Sequence, residues 1–93
     1  MTTTLKLTLH KRGGGYETRR FPNASTLRFE DASEMARGVF RLSAESSSLA
    51  FRYRDNEGDI ITVNTSEELH EAFEIVSRSG APSLKADLIV IDA

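Results

Sequence analysis

The chain has no cysteine and no tryptophan, only two prolines, and just two histidines, His10 and His70. The missing thiols exclude disulfides, thiol catalysis and thiolate metal sites in one step. A metal centre would then have to join two histidines far apart in the sequence, with no third soft ligand, so neither metal nor cofactor is expected. Apolar runs are short as well, and none approaches the roughly 18 residues that a membrane span needs. The first residues, Met1-Thr2-Thr3-Thr4-Leu5-Lys6, lack the charged lead and apolar stretch of a secretory signal. With no cysteine to oxidise, a cytoplasmic location is the expectation. Charge of one sign is also missing: 12 Lys and Arg against 14 Asp and Glu leave −2. That balance argues against a generally basic nucleic-acid binder and against a polyacidic tail. Ninety-three residues suit one domain, 1–93, around one core. Without staples, that core has to be well packed.

What is present is a separation of charge. Residues 1–28 carry Lys6, Lys11, Arg12, Arg19, Arg20 and Arg28 against the single acid Glu17, a block of +5. Residues 55–74 carry Asp55, Glu57, Asp59, Glu67, Glu68, Glu71 and Glu74 with no Lys or Arg, a block of −7. The remainder of the chain sums to zero.

Periodicity then orders the chain. Leu5, Leu7 and Leu9 alternate with Lys6, Thr8 and His10, the pattern of a half-buried strand. Gly13-Gly14-Gly15 allows a tight reversal, and Tyr16 to Phe21 returns as the partner strand until Pro22-Asn23. Glu30 and Asp31 suit the first turn of a helix whose apolar face is Ala32, Met35, Ala36, Val39 and Phe40. The serine-rich Ser43–Ser48 segment reads as a loop. Leu49, Phe51 and Tyr53 alternate with Ala50, Arg52 and Arg54 in a further strand, Asp55-Asn56-Glu57-Gly58 is turn chemistry, and Ile60–Val63 is β-branched throughout. Thr65 with Glu68 has capping-box spacing, and Leu69, Ala72, Phe73 and Val76 form the apolar stripe of a second helix. Gly80-Ala81-Pro82 ends it. Leu84–Ile91 is apolar on both faces and predicts a mid-sheet strand. The order ββαββαβ predicts an α+β fold, a ubiquitin-like β-grasp with a five-stranded mixed sheet and two helices. A ferredoxin-like sandwich is the competitor, but it would not open with two adjacent strands.

Catalytic readings fail one by one, and no enzyme is expected. No G-x-S-x-G elbow occurs for a serine nucleophile. The triple glycine precedes a strand, whereas a phosphate loop precedes a helix. Asp55-Asn56-Glu57-Gly58-Asp59 resembles a calcium loop only faintly, because its glycine comes fourth and Ser66 stands where the bidentate Glu belongs. His70 falls on the polar side of the second helix and reads as a solvated surface residue. Phe73-Glu74-Ile75-Val76 has the form of a docking peptide for autophagy modifiers, but Phe73 and Val76 are core positions. A nucleic-acid face on the basic hairpin is a rival reading. It lacks interleaved stacking aromatics, and the −7 block would repel a long polyanion.

The stretch Tyr53-Arg54-Asp55-Asn56-Glu57-Gly58-Asp59, followed by Ser66-Glu67-Glu68-Leu69, resembles the acidic OPCA motif of the Phox-and-Bem-one interaction domain. Members of that family read roughly Y-x-D-E-D-G-D and then D-E-E-L. Lys6 on the first strand and Arg19-Arg20 before Phe21 are similar to the basic signature of the same family. The resemblance spans essentially the whole chain and implies a β-grasp. Carrying both signatures, the chain looks like the dual-faced class, most of all the N-terminal domains of selective-autophagy receptors. It departs from the pattern at Asn56 and Ser66, where acids are common.

The resemblance implies a protein-interaction module rather than a catalyst, with no small-molecule substrate, nucleic acid or membrane as partner. Its basic face would be Lys6, Arg19 and Arg20, and its acidic face Asp55, Glu57, Asp59, Glu67 and Glu68. Copies would associate head to tail into rings or filaments; alternatively, the acidic motif alone would bind another such domain. Alternation from Phe21 turns Arg19 inward, so exposing both arginines calls for a bulge or a strand end.

Overall fold

A computed structural model of the chain describes residues 2–43 and 47–92. Five strands and two helices follow in the expected order: β1 (Thr4–His10), β2 (Tyr16–Phe21), α1 (Phe29–Phe40), β3 (Ser47–Arg54), β4 (Ile60–Val63), α2 (Ser66–Arg78) and β5 (Ser83–Asp92). A short 3-10 turn, Ala24–Thr26, stands between β2 and α1. The strands form one mixed sheet in the order β2-β1-β5-β3-β4, so β5 is central as its apolar content requires. β1 and β5 run parallel, with Leu5 beside Leu84 and Leu7 beside Ala86, and the other pairings are antiparallel. This is the ubiquitin-like β-grasp.

One face of the sheet is apolar and carries both helices. Leu5, Leu7, Phe51, Leu84 and Leu88 from the strands are buried with Ala32, Ala36, Leu69 and Phe73 from the helices. Phe51 meets Phe29 with ring centroids 4.9 Å apart. Phe73 is buried and Val76 packs against the core, so the peptide-like Phe73–Val76 run is structural.

Several expectations need correction. The buried stripe of α1 is Phe29, Ala32, Ser33, Ala36 and Phe40, while Met35 and Val39 stay 40% and 39% exposed. Phe29 opens the helix and draws the stripe round by part of a turn. Ser47 and Ser48 belong to β3, because their backbones pair with Asp92 and Ile91 of β5, and Ala44–Ser46 lie outside the described residues. No bulge separates Arg19 from Arg20, since the β1–β2 register is unbroken from Leu5 opposite Phe21 to His10 opposite Tyr16. Arg19 does turn to the helix side of the sheet. It is exposed because β2 is the edge strand, where its guanidinium bends to Glu17.

Candidate functional site

The acidic half is built by a turn and a helix. Asp55 is half-buried, and its Oδ1 accepts from the backbone N–H groups of Glu57 and Asp59, both at 2.9 Å. Its own N–H and C=O close the turn with Asp59 O at 2.9 Å and Gly58 N at 3.1 Å. Gly58 sits at φ 86°, a conformation that glycine takes without cost. Asp55 therefore shapes the turn, while the carboxylates of Glu57 and Asp59 point into solvent with no side-chain partner among the described residues. Asn56 lies in the same turn and is exposed.

At the start of α2 the capping box forms as its spacing predicts. Glu68 N donates to Thr65 Oγ at 3.2 Å. In return, Glu68 Oε1 accepts from Thr65 N at 3.1 Å and Asn64 N at 2.9 Å. These bonds, from Asn64 first, hold the Glu68 carboxyl below its ordinary value of 4.5. Glu68 thus spends one oxygen on the cap, whereas Glu67 is exposed and makes no such bond among the described residues. Replacing Thr65 with Ala should lower stability by about 1 kcal/mol, read as a shift of the urea midpoint at unchanged slope.

Ser66 faces away from this surface. Its Oγ accepts from Phe29 N at 2.8 Å and lies 3.3 Å from Glu30 Oε2, so it serves as the missing N-cap of α1. An acid there would face the Glu30 carboxylate, which gives the departure from D-E-E-L a structural reason. His70 is exposed, but it is not merely solvated: its Nε2 meets the Leu27 carbonyl at 3.0 Å and ties α2 to the segment before α1.

Asp55, Glu57 and Asp59 share one turn, but Glu67 and Glu68 do not lie beside it. The turn abuts the second half of α2, where Asp55 and Asn56 share a groove with Ile75, Val76 and Ser79. Glu67 is about 12 Å along the helix axis from Ile75 at 1.5 Å per residue. Glu71 bridges that interval. The Tyr53 hydroxyl is pushed above its usual 10.0 by burial first, and then by the nearby charges of Glu71 and Asp55. Sequence reasoning counted Glu71 in the acidic block but left it out of the site. Its place three residues after Glu68, on the turn-facing side of α2, was the available signal.

The basic half is divided. Lys6 and Arg20 are cross-strand partners on the open, helix-free face of the sheet. Arg19 pairs with Leu7 on the opposite face, and its guanidinium reaches Glu17 Oε2 at 2.6 Å. The same Glu17 stands 3.7 Å from Lys11, and its carboxyl is lowered by Arg19 above all. No carboxylate among the described residues pairs with Lys6 or Arg20.

Comparison with known proteins gives the family and the fold. The sequence profile of the PB1 domain, the Phox-and-Bem-one family, matches residues 2–90. Among solved structures, the chain is similar to the AtNBR1-PB1 domain at 21% identity and a TM-score of 0.60, covering 95% of this chain and 98% of that one. It is also similar to the cryo-EM structure of an L-type AtNBR1-PB1 filament at 24% identity and a TM-score of 0.63, covering 94% and 97%. No curated protein sequence matches.

Proposed function

Since the chain belongs to the PB1 family of protein-interaction domains, we propose that copies of it join head to tail, basic face to acidic face. One observation carries this reading: Lys6 and Arg20 on one side, and Glu57 and Asp59 on another, are opposite charges without side-chain partners among the described residues. Each surface is complementary to the other, and no ion pair among the described residues joins them within the chain. Arginine suits the contact because its planar fork binds a carboxylate at two points. The two surfaces differ, so the contact is heterologous and gives a ring or a filament according to its rotation. The structurally similar AtNBR1-PB1 domain is described as a filament, which favours the open form for this chain. On this reading the domain is a cytoplasmic scaffold at one end of a selective-autophagy receptor or signalling adaptor.

A single-face adaptor is the second reading. It is favoured by Arg19, whose guanidinium is already engaged by Glu17. Sedimentation against concentration separates the two. Head-to-tail assembly gives a mass that grows with protein concentration and shrinks as salt rises from 50 to 500 mM. An adaptor stays monomeric throughout, and that result would rule out self-assembly.

A further inference from the structure

We propose that Lys85, on the central strand β5, is a third member of the basic face and contributes more to it than Arg19 does. The inference rests on the head-to-tail reading and on the strand register. β1 lies between β2 and β5, with Lys6 opposite Arg20 on one side and beside Lys85 on the other. Arg20, Lys6 and Lys85 therefore form one row across three adjacent strands on the open face. No carboxylate among the described residues pairs with any of the three.

Such a row is costly to the isolated fold, because like charges directly opposite each other in a sheet are destabilising. The open face offers little relief. Asp87 is the one acid that the register places there, and its carboxylate is engaged by His10 at 3.2 Å. Lys85 also lines a recess of about 390 Å³ in which two further cations, Arg52 and Arg54, face the single acid Asp87. A row of unpaired cations is relieved when an acidic surface covers it. The acidic turn of a second copy, where Glu57 and Asp59 have no side-chain partner among the described residues, has the complementary charge. Arg19 lies on the other face of the sheet and its charge is already met by Glu17, so it has less to gain.

The proposal makes stability and binding move in opposite directions, which separates it from simple loss of fold. The experiment uses two variants of this chain that can only pair. One carries Glu57→Gln and Asp59→Asn and keeps its basic face, and the other carries Lys6→Ala and Arg20→Ala and keeps its acidic face. Adding Lys85→Glu to the first chain should weaken pairing by about thirtyfold or more, at least the effect of removing one member of a desolvated charge pair. Its melting temperature should be unchanged or higher, because the row of like charges is broken. Arg19→Ala in the same chain should weaken pairing less. Unchanged affinity with Lys85→Glu would overturn the role of Lys85 while leaving head-to-tail assembly intact. Failure of the two parent chains to pair at low salt would overturn both. Binding of a 20-residue oligothymidylate that is lost with Lys85→Glu, at unchanged pairing affinity, would assign the row to nucleic acid and also overturn the proposal.

Discussion

Two mutant chains that are each monomeric should form a 1:1 pair when mixed. A Lys6→Ala, Arg20→Ala chain keeps Glu57 and Asp59, and a Glu57→Gln, Asp59→Asn chain keeps Lys6 and Arg20. Exposed ion pairs contribute only about 0–1 kcal/mol each, too little to hold a complex singly. Within a contact that excludes water, removing one partner costs roughly 2–5 kcal/mol, because the other charge stays buried and unmatched. Two such losses on one face are enough to abolish micromolar association, and each mutant loses a different face. Mixing restores one complete contact and no more, so growth stops at the pair. Light scattering at low salt reads the mass directly, and two chains that remain apart would rule out the head-to-tail contact.

The choice of substitutions follows from the roles the structure gives each acid. Asp55 holds the turn through two backbone N–H groups, and Glu68 closes the cap of α2. Alanine at either position would disturb the backbone that presents the surface, and lost binding would then report on shape. Glu57 and Asp59 make no such side-chain bonds among the described residues, so their amides remove charge while sparing the turn.

Much of this was legible in the sequence because it is local. Leu5 and Leu7 alternate with polar residues, and the burial of both follows from strand geometry alone. The Thr65–Glu68 box is a matter of spacing and formed as expected. The split of charge into two opposite blocks also needed no fold to be seen. What escaped depends on contacts distant in the chain. Lys85 joins Lys6 only because the first and last strands pair in parallel, and no local pattern announces that neighbour. Ser47 and Ser48 have loop chemistry, yet β5 offers them a pairing edge, and hydrogen bonding overrides composition there. Arg19 illustrates a half-legible case. Alternation from Phe21 gave its direction correctly, but its exposure depends on β2 being the last strand of the sheet. The apolar stripe of α1 was misplaced for a related reason: a period of three and four residues marks a face without marking its centre, and Phe29 moved that centre.

Phe51→Ala should be the most damaging single change to the fold. The side chain is 1% exposed, at the middle of β3, between Val63 of β4 and Leu88 of β5. Its ring packs against Phe29 at the start of α1, so it links the sheet to the helix whose N-terminus Ser66 of α2 also caps. Truncation removes the ring contact and leaves a void that three elements border and none can fill without leaving its own hydrogen bonds. Buried Phe→Ala changes cost about 3–5 kcal/mol, against roughly 5–15 kcal/mol for the whole stability of a domain. The melting temperature should fall by on the order of 20 °C. Met35→Ala, at a 40% exposed position of α1, is the matched control and should move stability by no more than about 0.5 kcal/mol. Binding separates the two kinds of lesion. Below its lowered melting point Phe51→Ala should still pair with a complementary chain, because the basic row sits on strands in register and the acidic turn is closed by its own backbone hydrogen bonds. A Phe51→Ala chain that stays folded yet no longer pairs would show that the core shapes the interface as well as supporting it.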